Sequence, residues 1–229
     1  MSNCFGKRRK CDSCPATRTN YAVRNMSIRA VIFDLDGTIT QPFFDFDAIR
    51  EEMGLDKDSG PVLEAMEKML PSQRRRAERV LHFHEMRAVT ESKLNAGAKR
   101  TLSALRAGGI SVGILTRNRR SNALAIAQKH GLKFDIIVDR EDGPVKPDAF
   151  GVLQICRQFD VTPEETLVVG DYLFDLLCAK AAGAVAVLLT NHDRADEFAE
   201  HADFTIESVD EVLQIIEDKK DKPEESANE

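Results

Sequence analysis

Asp34 and Asp36 stand two residues apart, with Gly37 and Thr38 directly behind them. Thr116, Arg117 and Asn118 form a second polar group, Lys146 and Pro147 a third, and Gly170, Asp171 and Asp175 a fourth. Any one of these aspartates, taken alone, reads as a turn former or helix cap. Together they say more. Carboxylates brought into one place repel one another unless a cation neutralises them. An oxygen-rich set of this kind suits magnesium, which takes few protein ligands and keeps several waters. A carboxylate, a hydroxyl and a lysine also supply what a phosphoryl group needs, namely attack, hydrogen bonding and charge neutralisation.

These four groups can meet only if the chain delivers them to one edge. Each follows a short apolar run that reads as a buried parallel strand: 30–34, 110–115, 136–138 and 166–169. Two further runs, 185–189 and the weaker 204–206, continue the pattern. Helical stretches separate them: 98–107 stopping at Gly108-Gly109, 121–130 at Gly131, 148–159 behind Pro147, and 173–182 at Gly183. Such alternation predicts an α/β fold with a doubly wound, Rossmann-like parallel sheet, and ligands of open parallel sheets lie beyond the carboxyl ends of the strands. Between residues 40 and 95 the alternation stops. Only helical patterns remain (45–53, 61–70 and 72–92, punctuated by Gly54 and Pro71), which predicts a small all-helical domain inserted after the first strand.

Asp34-Leu-Asp36-Gly-Thr38, Thr116, Lys146-Pro-Asp148 and Gly170-Asp171-Tyr-Leu-Phe-Asp175 resemble, in order, the four motifs of the haloacid dehalogenase-like hydrolase superfamily. The helical insert is similar to the cap of the group that includes phosphoglycolate phosphatases and β-phosphoglucomutases. The resemblance implies that Asp34 is the nucleophile and a magnesium ligand, and that Asp36 is the general acid/base and binds magnesium through its main-chain carbonyl. It implies that Thr116, helped by the amide of Arg117, binds the phosphoryl group. Lys146 neutralises phosphoryl charge, Asp171 binds the metal, and Asp175 does so directly or through a water. It also places the first strand in the middle of the sheet. An acid at position 36 favours phosphate esters over halides, because halide leaves without a proton. The expected activity is thus a magnesium-dependent phosphatase acting through an aspartyl-phosphate on a small phosphorylated metabolite, phosphoglycolate being one candidate. The alternative is a phosphomutase of the β-phosphoglucomutase type, which would share every core residue and differ in cap closure and water exclusion.

Several features admit plainer readings. Arg74, Arg75, Arg76 and Arg79 on one predicted helix could reach a substrate anion or form a solvated surface. A phosphonate-cleaving member of that superfamily would need a cap lysine that forms an imine; Lys57 and Lys68 lie in the insert, and nothing in the sequence marks either as buried. Tyr172 and Phe174 inside the fourth motif could narrow the site or pack against the insert. Gly108, Gly109 and Gly113 lie in a segment that runs from helix to strand, the wrong order for a dinucleotide loop. Cys4, Cys11 and Cys14 include one close pair but no second, short of the four ligands of structural zinc.

Composition fits a globular protein, with 42% hydrophobic and 31% charged residues. The formal net charge of -6 offers no counterion-release gain with nucleic acid, so none is expected as partner. No apolar stretch is long enough to span a membrane, and the basic N-terminal residues are not followed by the apolar run of a secretory signal, so a cytoplasmic location is expected. Residues 1–27 read as a disordered leader, 28–39 and 96–216 as the core, 40–95 as the cap and 217–229 as a solvated or disordered tail. The sequence leaves the oligomeric state open.

Overall fold

The computed structural model describes residues 27–220. Six strands, β1 (Ala30–Phe33), β2 (Ser111–Leu115), β3 (Ile136–Val138), β4 (Thr166–Gly170), β5 (Val185–Leu189) and β6 (Phe204–Ile206), form one sheet in the order β3-β2-β1-β4-β5-β6. All five pairings are parallel, and β1 lies between β2 and β4. All four β1 residues are buried, which is why the strand reads as an unbroken apolar run.

Alternation along each strand feeds two separate cores. Val31, Phe33, Val112, Ile114, Leu167 and Val169 point to one face, under helices α4 (Ala98–Ala107), α5 (Arg120–His130) and α8 (Val212–Lys220). Ile32, Leu115, Val138, Val168 and Leu188 point to the other, under α6 (Phe150–Phe159) and α7 (Leu173–Ala182). Helix α8 runs on to Lys220, so Glu217 to Lys220 are helical although exposed at Glu217 and Asp218, whereas the sequence predicts a disordered tail from Glu217. Ile215 and Ile216 are buried against the sheet, and Gln214 donates to Asp218 one turn on, so the helix propagates past its last apolar anchor. The remaining tail residues, and residues 1–26 with Cys4, Cys11 and Cys14, lie outside the described residues.

The insert consists of α1 (Phe46–Met53), α2 (Val62–Glu67) and α3 (Pro71–Glu91). Asp45 caps α1 by accepting from the amides of Asp47 and Ala48, and Gly54 closes it at φ 74°. Ile49, Met53, Val62, Met66, Ala77 and Leu81 give the insert a core of its own. It joins the sheet through two adjacent segments: Gln41 donates to Lys93 O and Asn95 N donates to Ile39 O. The Asn95 side-chain amide also reaches the carbonyls of Gly37 and Thr38, both at 2.8 Å, and of Thr40 at 3.1 Å, pinning the entry of the insert to its exit. The far end of α3 is held as well. Lys129 of α5 donates to the carbonyls of Val89, Thr90 and Ser92, the helix-terminal acceptors that no intrahelical amide can satisfy.

Candidate active site

The parallel register explains why distant motifs converge. Phe33 is level with Ile114 on one side and Val169 on the other, so one further step along each strand leaves Asp34, Leu115 and Gly170 side by side at the carboxyl edge. One carboxylate oxygen from each of Asp34, Asp171 and Asp175 falls within 4.8 Å of the others. Lys146 enters from the loop after β3, and its Nζ donates to Asp34 Oδ1 and to Asp175 Oδ1, both at 2.5 Å. Thr38 Oγ1 donates to Asp171 Oδ1 at 2.7 Å.

Two glycines make this crowding possible. Gly37 has φ +101°, and a Cβ there would sit 2.3 Å from Asp171 Oδ2. A Cβ on Gly170 would sit 2.1 Å from Asp175 Cγ. Both sequence motifs therefore need glycine because a carboxylate occupies the space of a side chain.

Burial and charge set the electrostatics together. Burial pushes the Asp34 carboxyl well above its usual range; Lys146 opposes the rise, while Asp175, Asp171 and Asp36 add to it. Asp171 is raised to about 6 by burial and by Asp175, against the Thr38 hydrogen bond. Burial favours a neutral Lys146, but Asp175 and Asp34 more than reverse this and hold it protonated. Asp36 stands apart from the cluster. Its Oδ2 accepts from Asn118 Nδ2 at 3.0 Å, and its carboxyl is raised to about 6 by burial, with the charge of Glu85 adding to the rise.

Three close, acceptor-only carboxylates with a lysine ammonium between two of them form a donor set that a hard divalent cation fits. The anions are already arranged around one positive charge, and an oxygen-binding ion meets the same need.

Thr116 is buried at the end of β2, and its Oγ1 accepts from the amide of Asn118 at 3.0 Å. The Arg117 side chain turns to the insert. It binds both carboxylate oxygens of Glu64 on α2, at 2.6 and 2.7 Å, donates to Lys146 O and lies 4.9 Å over the Phe174 ring. Phe174 thus supports a bridge to the insert, whereas Tyr172 packs edge-on against Phe174 and Phe198. Lys57, Lys68, Arg74, Arg75, Arg76 and Arg79 are all exposed, Arg74 being paired with Glu78 on its own helix.

Sequence reading missed several contributors. His192 donates from Nε2 to the Asp171 carbonyl at 2.7 Å, and Asn191 donates to Gly37 O at 2.6 Å. Both follow β5, whose carboxyl end could have been searched by the same rule applied to the other strands. Glu85, Asn122 and Arg140 also lie near Asp36, but Glu85 sits in mid-helix and nothing in the sequence distinguishes it from a surface glutamate.

A parallel α/β sheet with its carboxylates gathered at the carboxyl edge, beneath a helical insert, defines the architecture of a hydrolase built on a Rossmann-like core. The family model for haloacid dehalogenase-like hydrolases matches residues 28–183, and the chain belongs to that family. It is 32% identical over 198 residues to an uncharacterized hydrolase of Saccharomyces cerevisiae, covering 83% of this chain and 90% of that protein. It is 27% identical over 215 residues to a phosphoglycolate phosphatase of Chromobacterium violaceum, covering 82% and 96%. The crystal structure of a hydrolase from Pseudomonas syringae matches with a TM-score of 0.71 at 21% identity, covering 83% of this chain and 98% of that one.

Proposed function

We propose that the protein is a magnesium-dependent phosphatase that hydrolyses a small phosphomonoester through an aspartyl-phosphate on Asp34. The reading rests on one observation: the carboxylates of Asp34, Asp171 and Asp175 lie within 4.8 Å of one another with the Lys146 ammonium bonded between two of them. Residues 28–39 and 96–216 act as the catalytic core and 40–95 as a cap.

In this mechanism an Asp34 carboxylate oxygen attacks phosphorus in line with the ester oxygen. The P–O ester bond breaks as the bond to Asp34 forms, and Asp36 gives its proton to the leaving alkoxide. Asp36 then takes a proton from the water that attacks the aspartyl-phosphate, which releases inorganic phosphate and frees Asp34. Lys146 neutralises phosphoryl charge, and the Thr116 hydroxyl with the Arg117 amide hydrogen-bonds the transferring oxygens. Asp34, Asp171, Asp175 and the Asp36 carbonyl would hold magnesium, which when bound offsets the repulsion between carboxylate and phosphate. The raised carboxyl of Asp36 supports its use as a proton donor.

Relatives named phosphoglycolate phosphatase and putative pyrophosphatase make phosphoglycolate and pyrophosphate the first substrates to test. The experiment is phosphate release from a panel of phosphorylated metabolites with magnesium, comparing wild type with Asp34→Asn. Release by the wild type and a loss of at least about 1,000-fold in the variant are expected. Full activity in Asp34→Asn removes the nucleophile assignment. An isomerised product without phosphate release indicates a mutase instead.

A further inference from the structure

Asp36 ends a hydrogen-bonded chain that crosses from the core into the insert. Asn118 Nδ2 donates to Asp36 Oδ2 at 3.0 Å. The Asn118 amide cannot be turned round. Its Oδ1 accepts from the main-chain N–H of Arg119 at 2.8 Å, an unambiguous donor, and from Asn122 Nδ2 at 2.8 Å. The second Asn122 hydrogen points to Glu85 Oε2 at 3.3 Å. Glu85 is 2% exposed on α3 and forms an ion pair with Arg140, so both its oxygens only accept. Arg140 donates in turn to Arg117 O at 3.2 Å. Every donor and acceptor along this path has one allowed sense.

We infer that Asn118, buttressed by Asn122 and by Glu85 of the insert, is a positioning residue that confines the acidic proton of Asp36 to Oδ1. A proton on Oδ2 would meet the Asn118 N–H head-on. Oδ2 therefore stays an acceptor, and the oxygen that can deliver a proton is fixed before substrate arrives. The inference deepens the phosphatase reading and rests on it. The buttress also stays in register with the core, because α3 is tied to α5 by Lys129 less than two turns beyond Glu85.

The reaction to be tested breaks the ester P–O bond, forms the Asp34–P bond and moves the Asp36 proton to the departing oxygen. An alkoxide needs that proton, and a p-nitrophenolate scarcely does. The measurement is kcat/KM for the best alkyl phosphate of the panel and for p-nitrophenyl phosphate, in wild type, Asn118→Ala and Glu85→Gln. Asn118→Ala should lower the alkyl value by about 100-fold, the scale of general-acid catalysis, and the aryl value by at least about tenfold less. Glu85→Gln, in which the glutamine amide can face Asn122 and compete with it as a donor, should show the same skew at about tenfold. Equal losses on both esters, or no loss in Asn118→Ala, would overturn the inference while leaving the phosphatase intact. A skew in Asn118→Ala without one in Glu85→Gln would overturn the part played by the insert. If Glu85→Gln does not fold because Arg140 is left unpaired, Glu85→Gln with Arg140→Met removes both charges and carries the same comparison. A wild type that cleaves neither ester would overturn the underlying reading and the inference with it.

Discussion

Lys146 is the residue on which the metal-free site depends. Its side chain is 4% exposed, and its ammonium is bonded to two carboxylates that would otherwise face each other inside the protein. Removing one partner of a buried ion pair costs about 3–5 kcal/mol, because an uncompensated charge stays behind. Lys146→Met should therefore melt well below wild type in EDTA. Saturating magnesium should recover part of the loss, since an ion at the proposed site would be held by the same carboxylates, while phosphate release should stay near background. Calorimetry with and without magnesium checks the first two statements. A melting point unchanged in EDTA would show that the carboxylates tolerate their own repulsion. At this scale the sequence was informative at the ends of four strands, although Asn191 and His192 at the end of β5 were missed. Asp34, Lys146, Asp171 and Asp175 could be picked out because a turn after an apolar run is where ligands bind. Glu85 could not, because its burial comes from packing of α3 against helix α5, which carries Asn122, and the loop that carries Arg140, and a single sequence carries no trace of that contact.

Among elements, the loops after β1 and β4 are shaped by what they must leave empty. A methyl group at position 37 would need both a disfavoured φ and the space held by the Asp171 carboxylate. Gly37→Ala should fold, since its neighbours Leu35 and Ile39 remain in the core, but it should displace Asp171. The expected result is a loss of about 100-fold in kcat/KM, the cost of an ångström-scale misplacement, together with weaker magnesium binding by calorimetric titration. Retention of both would mean that the loop relaxes without moving its aspartate. Helix α3 gives the opposite expectation. Arg75 and Arg79 are exposed, so changing both to alanine should leave KM within about twofold and stability within about 0.5 kcal/mol. A rise in KM specific to the best metabolite would bring the pair back as substrate ligands. The strands and most helix positions were legible from apolar runs and glycine stops. The last turn of α8 was not, because helix propagation past Ile216 depends on a nucleus already packed on the sheet.

For the molecule as a whole, the raised carboxyls link stability to pH. Asp36 and Asp171 both lie at about 6 in the folded chain, against about 3.9 in an unfolded one. The folded state thus holds these protons more tightly. Their contribution to stability is fully present below about pH 4 and is lost as pH rises through about 6, with Asp34 shifted in the same direction. Near pH 7.5 these buried carboxylates consequently oppose folding, and a divalent ion held between them would relieve that opposition. Magnesium should raise the melting temperature more at about pH 7.5 than at about pH 5, because at lower pH it competes with protons for the same oxygens. Equal increments at both pH values would detach the ion from these carboxylates. No helix among the described residues is long and apolar enough to cross a membrane.

Among the described residues, the side-chain hydrogen bonds from α1 and α2 to the sheet domain run through one pair, Glu64 with Arg117. Everything else that ties the insert down belongs to α3 or to the strand-like segments at 39–41 and 93–95. Residues 45–70 are thus anchored mainly by the core they share with Ala77 and Leu81 of α3. A graft from a relative with different substrate preference would have to rebuild that core, and Asp36 would then keep the surroundings that α3 provides.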